Sequence, residues 1–306
     1  MAIPVVQLGT GNVGLHSLRA LITNPEFELT GVWVSSDAKA GKDAAELAGF
    51  AESTGVKAST DLDAVLASGS QCAVYNAMAD NRLPEALDDY RRVLAAGVNI
   101  VGSGPVFLQY PWQVLPDELV KPLEDAARKG NSSLYVSGID PGFANDLLPM
   151  ALAGTCQSIE QIRCTEIVDY ATYDSAVVMF DVMGFGKPLD EIPMLLQPGV
   201  LSLAWGSVVR QLAAGLGLSL DVVEEMYVRE PAPHAFDIAP VTFPRAAPPR
   251  CASKSSDWST ELLSWCSNTS PGYARICAPI GPSPPSPAGP TGSRSPVNRP
   301  TPWTSA

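Results

Sequence analysis

The chain has 306 residues and a mass of 32.2 kDa, enough for one large or two ordinary domains with real cores. Its net charge of −12 argues against nucleic acid and anionic membranes as partners. The charge is uneven: residues 1–240 hold 14 Lys/Arg against 30 Asp/Glu, whereas residues 241–306 hold six against two, together with 13 of the 28 prolines.

Residues 3–8, IPVVQL, predict a short apolar strand. Gly9-Thr10-Gly11-Asn12-Val13-Gly14 follows, then a helical pattern at Val13, Leu18, Leu21 and Ile22 that ends near Asn24-Pro25. Residues 27–34 predict a second strand, 38–50 an Ala-rich helix and 56–58 a brief strand. Asp61 caps a short helix through Leu66. A strand at 72–76, a helix at 83–96, a strand at 98–101, a helix at 116–129 capped by Gly130, and a strand at 133–137 complete the series. Strand and helix alternate throughout, so residues 1–143 predict an α/β, Rossmann-type parallel sheet that binds its ligand beyond the carboxyl ends of the strands.

After Gly138 the pattern changes. A helix at 143–153, a half-buried strand at 159–168, a helix at 200–215, a short helix or turn at 219–226 and an outgoing strand at 225–230 predict a second, α+β domain over residues 144–240. That domain is short of strands. From about Thr242 no periodic pattern is sustained, so the Pro/Ser-rich residues 241–306 predict a disordered tail. The abrupt change near residue 240 also has the composition that a reading-frame shift in GC-rich coding DNA produces. The start carries no basic leader, and no stretch of about 18 apolar residues occurs. Cys72, Cys156 and Cys164 stand singly, which suits a reducing cytoplasm. Cys251, Cys266 and Cys277 fit no zinc spacing, so no metal is expected.

The glycine triplet lies directly between a strand and a helix, the context its chemistry requires. Gly9 permits the turn, Gly11 admits a pyrophosphate at the helix start, and Gly14 lets the helix approach the sheet. Gly9, Thr10, Gly11, Asn12, Val13 and Gly14 are therefore candidate cofactor contacts. At the end of the second strand, Ser35 and Ser36 offer hydroxyls and Lys39 a charge to a 2′-phosphate, which points to NADP. Asp37, one or two positions late for a ribose diol, leaves NAD open. Asn76-Ala77 and Gly102-Ser103 follow the next central strands and complete the predicted cofactor edge. Asp140-Pro141-Gly142 is a tight turn before a helix, where Gly142 and Asn145 are further candidate contacts. Asp140 is read either as a turn residue or as part of a reaction centre, beside Tyr170 and Tyr173. No histidine-based machinery is present, and hydride transfer needs little, because the cofactor carries the chemistry.

Taken together, GTGNVG, NIVGSG, the aromatic segment GPVFLQYPW, SGIDPGFANDLLP and MGFGKP resemble 2,4-diaminopentanoate dehydrogenases and native amine dehydrogenases. These share the amino-terminal domain of 4-hydroxy-tetrahydrodipicolinate reductase. The resemblance runs from residue 1 to about 239. It implies a homodimer, a small-molecule substrate held between two domains, and reversible oxidation of an amine or reductive amination of a ketone. In that family a glutamate after the fifth strand handles the amine's protons. Here the loop reads Phe107-Leu108-Gln109-Tyr110, and Gln109 can orient a substrate but cannot act as a base. The alternatives are an enzyme like dipicolinate reductase, a non-catalytic or damaged nucleotide-binding protein, and a proline-rich interaction protein.

Overall fold

The computed structural model describes residues 2–79, 82–168, 170, 175, 177–185, 187–227, 229, 261–268 and 273–277. Strands β1 (Ile3–Leu8), β2 (Phe27–Trp33), β3 (Ala58–Ser59), β4 (Cys72–Tyr75), β5 (Asn99–Gly102) and β6 (Leu134–Val136) form one parallel sheet in the order β3-β2-β1-β4-β5-β6. This is the doubly wound order, in which the direction of winding reverses between β1 and β4. Helices α1 (Asn12–Thr23), α2 (Ala44–Ala48), α3 (Leu62–Leu66), α4 (Leu83–Ala95) and α5 (Asp117–Gly130) lie between the strands in sequence.

The short strands are apolar because both faces of the sheet are covered. Trp33 packs into the cluster of Leu8, Tyr75, Tyr90, Leu94 and Ile100. Its neighbours Val32 and Val34 pack with Leu18 and Ala44 in another, as alternation along a strand requires. A hydrogen-bonded polar group is built into this apolar interior. The Tyr75 hydroxyl donates to Asp89 Oδ2 at 3.1 Å, and Arg82 donates to the Tyr75 oxygen at 3.2 Å and to Asp89 at 3.0 Å. Burial, with the Asp89 charge beside it, holds the Tyr75 phenol well above its usual range, so it stays a donor.

Two local expectations are corrected within this sheet. The helix predicted over 38–50 shortens to Ala44–Ala48, with Asp43 as its cap accepting from Ala45 N–H. Gly130 does not cap α5: it lies inside the helix, and Asn131 takes the left-handed cap at φ 50°. A Cβ on Gly130 would sit 1.8 Å from the Leu94 carbonyl oxygen, so the glycine is there to let α5 approach α4.

Beyond β6 come α6 (Leu147–Ala153), β7 (Gln161–Val168), a π-helical turn at Val177–Val182, α7 (Val200–Gly215) and β8 (Val222–Met226). Two further strands, β9 (Glu261–Asn268) and β10 (Tyr273–Cys277), lie within the tail and complete a second sheet in the order β7-β9-β10-β8. β9 runs antiparallel to β7 and β10, and β10 runs parallel to β8. This corrects the expectation that no strand follows residue 242. Both segments are free of proline, a fact that the average composition of 241–306 conceals. The last strand before the tail falls at 222–226 rather than 225–230, replacing the helix or turn expected there. The rest of the tail, and with it the expectation of disorder, lies outside the described residues.

The buried face of α7, with Leu201, Trp205, Val208, Val209 and Leu212, packs with Leu195, Leu196 and Leu220. The same helix reaches the segment that follows β5. Ser207 donates to the Val106 carbonyl at 3.4 Å, and Arg210 to Gln113 Oε1 at 2.8 Å. Among the described residues no helix is long and apolar enough to cross a membrane, and no group of His, Cys, Asp or Glu is arranged to hold a metal ion.

Candidate active site

The carboxyl ends of the central strands are brought level by backbone hydrogen bonds that continue past the sheet. Gly9 N–H donates to the Trp33 carbonyl at 3.0 Å, Asn76 N–H to Leu8 at 2.8 Å and Ser103 N–H to Tyr75 at 3.1 Å. The glycine turn, Asn76-Ala77 and Gly102-Ser103 therefore meet along one edge, as their sequence positions predict.

Within the turn, the three glycines differ in what surrounds them. Gly9 has φ 92°, and a Cβ there would lie 2.6 Å from Ala77 N. A Cβ on Gly14 would lie 2.3 Å from the Gly9 carbonyl oxygen. Both are demanded by packing within the chain. Gly11 is different: nothing lies within 4 Å of where its Cβ would be, and its φ of −75° suits any residue. Its space is open. Gly11 is also the N-cap of α1, which has no side-chain cap and no acidic residue in its first turn. The N–H groups at this helix start are directed at the same space, a setting suited to an anionic diphosphate. Asn12 and Val13 are exposed beside it.

Ser35, Ser36 and Asp37 are all exposed after β2. Lys39 does not extend into solvent. Its Nζ donates to the Thr10 carbonyl at 2.8 Å and to Thr10 Oγ1 at 3.1 Å, which places its charge against the glycine turn. Lys42 instead pairs with Glu46 on the surface at 3.3 Å.

Asn76 is oriented from beneath by Gln7, which sequence reading left as part of an apolar strand. Gln7 is fully buried, and its Nε2 donates to the Gly9 carbonyl at 2.8 Å and to Asn76 Oδ1 at 3.0 Å. That leaves Asn76 Nδ2 to donate to Ser103 Oγ at 2.9 Å. With its oxygen accepting, the exposed Ser103 hydroxyl keeps its own proton for a ligand. A polar residue inside IPVVQL was the available signal.

A second group of side chains forms where the β6–α6 loop meets the second sheet. Asn145 is 1 % exposed, and its Oδ1 accepts from Gly142 N–H at 2.8 Å. Its Nδ2 donates to Asp140 Oδ1, which also accepts from the Trp205 indole at 2.8 Å. Gly142 N–H and the Asn145 amide are thus satisfied within the chain rather than held open at a helix start. Burial, with the Asp140 carboxyl as a neighbour, raises the pKa of Glu166 on β7 to about 7. Neither Glu166 nor Trp205 was legible as a site residue, because their link to Asp140 spans separate elements. Gln109 closes the 3-10 turn Val106–Gln109 and donates to Asp146 Oδ2 at 2.9 Å. The Tyr170 ring lies 5.8 Å from that of Phe185. Tyr173 lies outside the described residues.

No family model matches the chain. It is 40% identical over 223 residues to an amine dehydrogenase of Streptomyces virginiae, a match covering 73% of this chain and 62% of that protein. It is 24% identical over 151 residues to the 2,4-diaminopentanoate dehydrogenase of Acetoanaerobium sticklandii, covering 48% of this chain and 42% of that one. The chain thus spans less than two thirds of the length of these relatives. The solved structure of an amine dehydrogenase from Mycobacterium smegmatis superposes with a TM-score of 0.63 at 18% identity, over 93% of this chain and 81% of that one. The resemblance read from the motifs is found again by sequence and by fold.

Proposed function

The chain resembles amine dehydrogenases, and from that premise we propose that it is an NAD(P)-dependent oxidoreductase acting on a primary amine and its ketone. The observation that carries the reading is the open space at Gly11, at the uncapped start of α1, between two glycines that packing already requires. A dinucleotide there would lay its pyrophosphate on the α1 N–H groups and its nicotinamide side toward Asn76, Ser103 and the β6–α6 loop. When bound, the nicotinamide supplies the hydride donor or acceptor. The chain's own residues position the substrate and move its protons. We place the cofactor domain at residues 1–143 and the substrate and dimer domain at 144–240 together with β9 and β10, with the second protomer completing the assembly.

The preferred cofactor is NADP. Ser35 and Ser36 are exposed at the end of β2, and the Lys39 ammonium is anchored on Thr10 next to them, so a 2′-phosphate finds donors and a positive charge. Asp37 is exposed and has no such anchor among the described contacts. Calorimetric titration tests this. NADPH should bind more tightly than NADH by roughly 1–2 kcal/mol, the worth of one or two charge-assisted hydrogen bonds. Ser36→Glu should reverse the order. A preference for NADH in the unaltered chain would assign the ribose to Asp37 instead.

A further inference from the structure

Gln7 lies on a central strand of the first sheet and is fully buried, and its Oε1 has no hydrogen-bond partner among the described residues. An unpaired buried oxygen is a net cost, which a methionine of similar size would avoid. Packing therefore does not account for an amide here, but its nitrogen does. The Gly9 carbonyl can only accept, so the Gln7 atom facing it at 2.8 Å is the amide nitrogen. That nitrogen can only donate, so the Asn76 atom facing it at 3.0 Å is the oxygen. Asn76 Nδ2 is then the atom turned to Ser103 Oγ at 2.9 Å, and it too can only donate. The Ser103 oxygen accepts within the chain, and its proton is directed elsewhere. Each direction is set by the one before it, and the first is set by a backbone carbonyl that cannot reverse. Ser103, at the open end of the relay, is exposed just past β5.

We propose that Gln7 is a positioning residue for the cofactor: by fixing Asn76, it makes the Ser103 hydroxyl a hydrogen-bond donor to an acceptor oxygen on the nicotinamide half of the dinucleotide. The inference rests on the reading of this edge as a dinucleotide site. The relay runs from β1 through the ends of β4 and β5, on the side of the switch point away from β2, where the second mononucleotide of such a cofactor belongs. Without Gln7, the Asn76 amide is free to turn over, and the Ser103 proton can be spent on Asn76 Oδ1. Ser103 then offers only lone pairs, from which an acceptor oxygen gains nothing. The nitrogen that orients Asn76 also holds the Gly9 carbonyl, so the relay is tied to the glycine turn itself.

The test is calorimetric titration of the full chain. It compares the dinucleotide that binds more tightly, NADPH or NADH, with the matching fragment that lacks the nicotinamide half, adenosine 2′,5′-bisphosphate or ADP. Ser103→Ala should weaken the dinucleotide by about 5- to 10-fold, the worth of one hydrogen bond, and leave the fragment unchanged. Asn76→Asp presents acceptors on both sides, so it keeps the bond from Gln7 but draws the Ser103 proton inward. In that background, and in Gln7→Met, adding Ser103→Ala should cost the dinucleotide less than about 2-fold. The carboxylate introduced by Asn76→Asp weakens binding with or without the Ser103 hydroxyl, so it cannot imitate this loss of effect. A merely structural Gln7 leaves the Ser103→Ala effect at full size, whatever happens to the melting temperature. An undiminished effect in either background overturns the relay, as does a Ser103→Ala chain that binds the dinucleotide at its original strength. Should Gln7→Met not fold, the Asn76→Asp background decides alone. An unaltered chain that binds neither dinucleotide overturns the cofactor reading together with the relay, and is seen without any variant.

Discussion

At the scale of single residues, the glycine turn separates packing from binding. A Cβ on Gly9 or Gly14 would fall within 3 Å of backbone atoms, whereas one on Gly11 would meet nothing within 4 Å. Substitution of Gly11 should therefore spare the fold and act on the ligand alone. Gly11→Asp places a carboxylate at the positive end of α1, in the space reserved for another anion. Dinucleotide binding should fall below detection in calorimetry, while the melting temperature stays within a few degrees of the unaltered chain. Binding at the original strength would remove this turn from the cofactor site. The triplet was readable because its spacing is local. The link from Asp140 to Trp205 was not, because the two are far apart in sequence and only the fold joins them. Asp140 alone offered two readings, turn or reaction centre, and the structure adds that its Oδ1 accepts from the Asn145 amide and the Trp205 indole.

Elements were legible where both periodicity and boundary chemistry were local. β1, α1 and α7 fall where the apolar patterns place them, and Asp61 caps α3 as its position predicts, accepting from Asp63 N–H and Ala64 N–H. Gly130 shows where local rules fail. By position it reads as a helix cap, yet the packing of α5 on α4 is what requires it. The two accounts predict opposite signs for Gly130→Ala. Helix propensity alone would stabilise the chain by about 1 kcal/mol. A Cβ at 1.8 Å from the Leu94 carbonyl must instead push the helices apart, and overpacking of this kind costs about 1–3 kcal/mol. Urea unfolding should therefore show Gly130→Ala to be less stable. A more stable variant would mean that α4 and α5 are free to separate. β9 and β10 were missed for another reason: their proline-free runs are short islands in a proline-rich background, and composition averages over them.

At the scale of the whole molecule, the second sheet changes what the tail is expected to do. On sequence alone, removing the residues from about 245 onward should alter stability by less than about 1 kcal/mol, since few native contacts would be lost. In the structure β9 and β10 lie between β7 and β8, so the same cut takes away the centre of a four-stranded sheet and leaves two strands with open edges. A chain ending at residue 240 should melt several degrees lower and expose apolar surface to a hydrophobic dye. An unchanged melting curve would return the tail to the role its composition suggests. The two sheets meet through α7, whose Trp205 reaches Asp140 and whose Ser207 and Arg210 reach the segment after β5. The most direct test is the initial rate of NADPH consumption with a panel of small ketones, measured with and without ammonia. The account predicts oxidation that requires both ketone and ammonia and saturates with each. NADPH oxidation by ketone alone, or none by any ketone and ammonia in a chain that binds NADPH, would contradict it.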